Sequence, residues 1–507
     1  MPDALNMPGV FVEEIPSGTR AILPVATSVT AFVGRAARGP VGTPTTVSSF
    51  VEFERVFGGL WSQSRLGFAV RDFFANGGSE AVIVRIYRPK RATRTKALLS
   101  LGTLVLEAAA EGSWGNHLQA RVTLGSAPRF HLHIRDDATG VVEEHRDLVA
   151  APAGDPRHVT TVLARESRLV HVSAVGSTRP APTRRSAPDV GVTADGIALD
   201  GLPLIRGSFT VGGPAGVRGL YALNKMDSFN VLVIPPHRSD DSVDPAVVAA
   251  AAEYCERRRA VLILDAPPSW DSVEQAAVGA SGFVDQLGTS SANAAVYFPR
   301  LRQSNPLNGG AIGIFAAAGA VAGVIARTDA ARGLWKAPAG MEATLNGVVE
   351  LDIAVSDADA GRLNPLAVNC LRTLPHGNAT ATVVWGARTL HGSDSAPSEW
   401  KYLPVRRLAL HIEGSVERGL AWAAFEPNGE PLWAQIRLAV GTFLEDLLRG
   451  GAFQGTTRHE AYYVRCDATT TTVADVAQGI VNVEIGFAPL RPAEFIVLRV
   501  QQVAQPT

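Results

Sequence analysis

The apolar and polar positions of this chain change period repeatedly, and the changes mark its elements. Both ends read as strands: Val10, Phe11, Val12, Glu13, Glu14 and Ile15 follow Pro8-Gly9, and Phe495, Ile496, Val497, Leu498, Arg499 and Val500 follow Pro492-Ala493-Glu494. Neither has a hairpin partner beside it in sequence. A terminal strand with unpaired backbone groups must dock at home or pair with another chain. Between residues 45 and 87 the period is helical. Ser49 to Glu52 has capping-box spacing, and Phe50, Phe53 and Phe57 form a stripe closed by Gly58-Gly59. Leu66, Val70, Phe73 and Phe74 form a second stripe closed by Asn76-Gly77-Gly78, and Ala81 to Tyr87 then reads as a strand.

A basic segment of Arg88, Lys90, Arg91, Arg94 and Lys96 marks a boundary, after which short strands alternate with Gly, Asp and Pro. Leu104 to Leu106, Leu118 to Leu124 and Phe130 to Ile134 are predicted strands, with a turn at Asp136 to Gly140. The Pro- and Arg-rich residues 177–190 close this part. From Phe229 strands and helices alternate: Phe229 to Ile234, Pro245 to Arg259, Ala260 to Leu264, Ser272 to Leu287 and Ala294 to Phe298. That order predicts a parallel sheet with crossover helices. The uncharged run Ala311 to Ala326 reads as a buried helix, too short for the ~20 residues that span a bilayer. Beyond Arg362, helices are predicted at Val405 to Phe425 and Leu432 to Arg449, and strands near Tyr462 to Arg465, Val481 to Phe487 and the C-terminus.

The expected fold class is α/β and α+β, multidomain. Its expected parts are an N-terminal arm (1–22), the N-terminal part of a core (23–96), a β-rich insertion (97–210), a central α/β part (211–361), a C-terminal core (362–489) and a C-terminal arm (490–507).

Composition narrows the function classes. A hydrophobic fraction of 46% with 19% charged residues is that of a folded protein. Lys plus Arg total 47 against 48 Asp plus Glu, so no global field draws the chain to nucleic acid or an anionic membrane. Cys255, Cys370 and Cys466 are far apart and odd in number, which argues against a disulfide framework or a structural zinc site and for a reducing cytoplasm. No basic segment followed by an apolar stretch opens the chain, so no secretory signal is expected.

A search for chemistry returns little. An α/β sheet binds ligands at the carboxyl ends of its strands, where phosphate needs approachable backbone N–H groups. Those positions read Ile234-Pro235-Pro236, Asp265-Ala266-Pro267-Pro268 and Phe298-Pro299-Arg300, and proline has no N–H. Asp265 is the strongest catalytic candidate, though a turn or helix-cap carboxylate is the simpler explanation of it. Asp352, Asp357 and Asp359 match a calcium loop only loosely, since Gly361 stands where an oxygen ligand belongs. His131 and His133 alternate on a strand, and Ser281 in Gly279-Ala280-Ser281-Gly282 lacks nucleophile-elbow spacing. The basic run from Arg88 to Lys96 has no interleaved aromatics, and Arg257-Arg258-Arg259 suits a helix carboxyl end.

An ordered set of segments resembles the contractile tail sheath family. It is carried by Met7-Pro8-Gly9-Val10 through Gly18, Thr30 to Pro40, Gly112-Ser113-Trp114-Gly115-Asn116, Ala326 to Asp329 with Gly333 to Gly340, and Leu363-Asn364-Pro365 with Val368-Asn369. Val383 to Leu390, Phe425-Glu426-Pro427-Asn428, Pro431-Leu432-Trp433 and Gly486 to Pro489 leading to Pro492-Ala493-Glu494-Phe495 complete it. Residues 97–210 match least, and Gly414 and Gly429 depart from the pattern.

The resemblance implies a structural subunit with no catalysis and no cofactor, and a sheath core built from N- and C-terminal parts. Such subunits polymerise as rings or a helix around an inner tube protein and contract to drive it through an envelope. It further implies that Val10 to Ile15 and Phe495 to Val500 are strands exchanged between copies. The helix carrying Gln435, Arg437, Glu445 and Arg449 would lie near the tube, and other partners would be baseplate and terminator proteins. Assembly in the cytoplasm is expected, as part of a phage tail or a related particle that is released, with neither nucleic acid bound nor membrane insertion. The alternatives are a sheath-like baseplate or adaptor component, and an enzyme using Asp265.

Overall fold

The computed structural model describes residues 21–183, 191–287, 291–377 and 379–495. It divides into two compact units, a larger one of Ala26–Arg407 with the residues from Arg491, and a smaller one of Leu408–Leu490 with the residues up to Val25.

The larger unit is organised by one eight-stranded sheet. Its strands are β1 (Thr30–Gly34), β2 (Thr45–Val47), β3 (Ala81–Arg85), β4 (Val231–Val233), β5 (Val261–Asp265), β6 (Ala294–Phe298), β7 (Val368–His376) and β8 (Ala379–Trp385), in the order β8-β7-β6-β5-β4-β1-β3-β2. The six inner strands are parallel, and β2 and β8 close the edges antiparallel. β1, β3 and β6 are buried at every position, because helices cover both faces and leave no place for alternating polar residues.

One face carries α3 (Pro245–Arg258) and α4 (Val273–Leu287). Val247, Ala251, Cys255, Ala276 and Phe283 meet Val33, Leu232, Leu262 and Val296 there in one buried cluster. The other face carries α2 (Leu66–Ala75) and α5 (Ala318–Arg332), and the Phe32 and Phe73 rings meet edge to face at 5.5 Å. α2 follows α1 (Phe50–Phe57), whose Phe53 and Phe57 are buried and which ends at Gly58, in the left-handed region with φ +88°. The Ser49 hydroxyl accepts from the Glu52 amide, but the Glu52 carboxylate turns to the Ser48 amide and hydroxyl, both at 2.9 Å. The capping box expected from Ser49 to Glu52 is therefore half formed.

The β-rich insertion has its own core of residues such as Leu106, Val122, Phe130, Leu132 and Leu163. A three-stranded sheet (Leu98–Leu101, Leu104–Ala108, Val170–Val175) stands beside a four-stranded one whose longest members are Leu118–Leu124, Phe130–Asp136 and Val142–Leu148.

Two sequence expectations change. The apolar run from Ala311 is not one helix: Ile312–Phe315 is a strand antiparallel to Leu301–Ser304, and α5 begins at Ala318. A short apolar run carries no period that separates strand from helix, and its β-branched residues favoured the strand. The helix expected over Val405 to Phe425 is α6 (Leu403–Gly419), after which Ala421–Ala423 forms a single 3-10 turn. Phe425 itself has φ +69°, outside any right-handed helix.

α2 and α5 cross with their backbones almost touching. A Cβ at Gly319 would lie 2.3 Å from the Ala69 carbonyl oxygen, and one at Gly323 would lie 2.4 Å from that of Phe73. Alanine gains up to about 1 kcal/mol of helix propensity over glycine, but here it must push two backbones apart. Gly323→Ala is therefore expected to destabilise the protein by roughly 1–3 kcal/mol, read as a lower urea midpoint with unchanged slope.

Candidate functional site

The carboxyl ends of β4 and β5 open into a pocket of about 440 Å³, lined in part by Pro236, Asp241, Asp265, Pro267, Pro268 and Arg300. Asp265 lines this pocket and also serves a backbone group. Its Oδ1 accepts from the Ala318 amide at 2.7 Å and so caps the start of α5. The carboxylate is enclosed although the residue as a whole is only partly buried, and this loss of water pushes its pKa up to about 6 against the pull of the Ala318 amide and Arg300. Asp72, also pushed up to about 6 by burial, is held by Arg71 at 2.8 Å. Asp241 is gripped by Arg65 at 2.7 Å and by Arg300. The acidic groups at this end of the sheet thus fasten helices and loops.

The other candidates are placed in the same way. Asp359 shares a capping box with Ser356, Asp357 pairs with Arg372 at 2.7 Å, and Asp352 lies 3.8 Å from Arg302. Among the described residues no cluster of three or more His, Cys, Asp or Glu has the arrangement of a metal site. His131 accepts from the Asp147 amide at 3.0 Å, His133 lies 3.9 Å from Glu144, and the Ser281 hydroxyl donates to the Val278 carbonyl. In the basic run, Arg88 donates to the Pro203 carbonyl, Arg94 pairs with Asp195, and Lys96 lies 3.6 Å from Glu107. Arg258 does more than complement a helix end: it reaches the carbonyls of Leu223 and Met226 and the Tyr254 hydroxyl.

In the smaller unit, α6 and α7 (Glu430–Arg449) supply most of the core. Leu408, Leu410 and Ile412 are buried on α6, and Leu432, Trp433, Ile436, Val440, Phe443 and Leu444 on α7. Gly429 caps α7 in extended backbone with φ −174°. Gln435 and Arg449 stand on the exposed face of α7, whereas Arg437 is bound to Glu430 and the Cys466 carbonyl, and Glu445 to Arg458 and Tyr462. Leu438, 54% exposed, lies on the same outer face as Gln435.

Beside α7 is a sheet of two strands, β9 (Tyr462–Arg465) and β10 (Glu484–Phe487), antiparallel with Tyr462 opposite Phe487. Among the described residues neither strand has a partner on its outer edge. Two strands alone are marginal in water, so this sheet offers two edges for added strands. The described residues nearest the two ends of the chain are held by specific contacts. Ile22, 6% exposed, packs on α6 so closely that a Cβ at Gly419 would lie 2.6 Å from it, and the Val25 amide donates to Ser415 Oγ at 3.1 Å. At the other end Glu494 is bonded to Arg388 and Phe495 is 77% exposed. Val10 to Ile15 and Ile496 to Val500 lie outside the described residues. Neither buried arginines nor arm roots are marked by any periodicity; an arginine buried in a chain rich in exposed ones gives no sequence signal.

Residues 210–390 match the model of the phage tail sheath protein central domain, and residues 395–503 that of the phage tail sheath C-terminal domain. A prophage major tail sheath protein of Pseudomonas aeruginosa is 28% identical over 339 residues, 62% of this chain and 77% of that protein. The sheath of an extracellular contractile injection system, solved in its contracted state, superposes with a TM-score of 0.60 at 22% identity over 98% of both chains. A chain of the anti-feeding prophage baseplate superposes with a TM-score of 0.58 at 22% identity over 99% of this chain and all of that one.

The pKa of Asp265 predicts a pH dependence. Its folded value, about 6, lies above an unfolded value of about 4. Its contribution to stability is therefore full below about pH 4 and is lost as pH rises through 6. Asp72 acts with the same sign. His237 opposes them, because burial depresses it to about 4, so its contribution is present above about pH 6.5 and is lost as pH falls through 4. Comparison with Asp265→Asn isolates the aspartate: between pH 8 and pH 5 the wild type should gain about 1.4 kcal/mol relative to the variant in urea titrations. A difference independent of pH would show that Asp265 titrates as in water.

Proposed function

The chain belongs to the phage tail sheath family, and from that premise we propose that its subunits are joined by exchange of their terminal strands around an inner tube. The protein is a structural subunit of a contractile sheath, in a phage tail or a tail-like injection particle, and not an enzyme. Among the described residues no helix is long and apolar enough to cross a membrane.

The observation that carries the exchange reading is the two-stranded sheet with its open edges. A strand from a second copy laid on β9 or β10 satisfies backbone groups on both chains, and its alternate side chains enter pockets on one face. Val10 to Ile15 and Phe495 to Val500 have the length and the content of β-branched and aromatic residues for that role. Their roots differ, since Ile22 and Val25 are held on α6 while Glu494 is held by Arg388. The exposed stripe of α7 through Gln435, Leu438 and Arg449 is the surface we assign to the tube. Further partners are a baseplate, for which the similar chain in the anti-feeding prophage baseplate gives support, and a terminator, with assembly in the cytoplasm.

Electron microscopy of the purified chain, or of particles from its host, should show long cylinders. Val12→Pro and Val497→Pro each remove a ladder donor and should abolish polymerisation while leaving the urea midpoint of the subunit unchanged. Normal cylinders from both variants would refute strand exchange.

A further inference from the structure

Arg388 is completely buried, at 0% exposure, next to the β7–β8 edge of the large sheet. Its Nε and one terminal nitrogen form a two-bonded fork on the Glu494 carboxylate, at 2.8 and 2.6 Å. The other terminal nitrogen donates to the carbonyls of Asn364 and Gly392 and to the Asp394 carboxylate, at 2.8, 3.1 and 3.0 Å. The arginine backbone is fixed as well. Its amide donates to Asn369 Oδ1 at 2.6 Å, and its carbonyl accepts from Asn369 Nδ2 at 2.8 Å. Lys401 holds Asp394 from the other side at 2.6 Å.

Apart from Glu494, the groups bonded to Arg388 and Asp394 come from residues 364–401, and the Tyr402 hydroxyl beside them also bonds Glu494. The guanidinium is thus a preformed socket on the larger unit, and Glu494 is the plug. Glu494 lies immediately before Phe495, the start of the C-terminal arm, and only four residues beyond Leu490, where the smaller unit ends. We propose that Arg388 is the anchor of the C-terminal arm, fixing on the larger unit the point from which residues beyond 494 leave toward a neighbouring copy. This rests on the reading of the arms as exchanged strands. The N-terminal arm is rooted instead on the smaller unit, through Ile22 and Val25. A fork of two parallel charge-assisted bonds sets direction as well as position. Withdrawing the carboxylate would leave two donors of the buried guanidinium without their acceptors, with Asp394 as its remaining counter-ion. Load carried by the arm therefore passes into the eight-stranded sheet and not into the smaller unit.

The test compares Glu494→Gln, which keeps shape and removes charge, with Arg388→Lys, which keeps charge and removes the fork, and with a chain lacking residues 495–507. Two quantities are read: chymotryptic cleavage after Phe495 in freshly purified, unassembled chain, and the yield of sedimentable sheath. In Glu494→Gln cleavage should rise about tenfold or more and sheath yield should fall severalfold, with cleavage elsewhere unchanged. Arg388→Lys should change both in the same direction, and it carries the test by itself if Glu494→Gln does not fold. Wild-type sheath yield from these variants, with the shortened chain unable to assemble, overturns the anchor and leaves strand exchange standing. Normal assembly of the shortened chain overturns both.

Discussion

A guanidinium taken out of water must place five N–H donors at once, and no single stretch of backbone offers that many acceptors in the right directions. Arg85, Arg388 and Arg407 meet this constraint by gathering segments far apart in sequence. Arg85 collects the carbonyls of Ala36, Gly39 and Glu111, and so ties the loop after β1 to the root of the insertion. Burial lowers its pKa to about 10, still high enough to leave it charged at neutral pH. Arg407 forks onto Asp329 at the end of α5 and takes the Thr27 carbonyl before β1. Apolar side chains of the same volume would cost less desolvation. What they would not supply is direction, and direction matters where the chain enters and leaves a body that must hold its shape.

The large sheet and the small one answer opposite demands. Eight strands with both faces covered and antiparallel edges leave the larger unit with a closed interior. Its usual ligand crevice is lined with prolines that have no N–H to offer and with a carboxylate already committed to the start of α5. β9 and β10 are the reverse case, a sheet too narrow to be self-sufficient, placed on a helical core that is. One sheet is covered on both faces, and among the described residues the other keeps two unpaired edges.

Much of this was legible in the sequence, for reasons that name themselves residue by residue. Ala81 to Arg85 and Ala294 to Phe298 are unbroken apolar runs of strand length between turn residues, and they are inner strands. Pro236, Pro267 and Pro268, read in the sequence as strand-end residues, line the crevice there. Which strands share a sheet was not legible: β3 joins β4 through β1, across the whole insertion, and β7 lies against β6 although α5 intervenes. Such pairings are set by burial summed over the domain and leave no local trace. The strand at Ile312–Phe315 was hidden because four apolar residues have no measurable period. Arg388 and Glu494 stand in two separate short segments of the family pattern, and that they form one ion pair across 106 residues is a fact of three dimensions.

A device that contracts must break one set of contacts and keep another. Side-chain interfaces between bodies depend on the angle at which the bodies meet, so they are the set that changes. A strand paired with another chain's sheet depends only on the short arm and the edge it joins, so it survives when the bodies turn, provided the arm neither slips along its edge nor peels from its own root. Edge pairing alone does not guarantee the second condition, because a terminal segment without a fixed root frays. The fork on Glu494 and the packing of Ile22 against Gly419 supply those roots, one on each compact unit of the subunit.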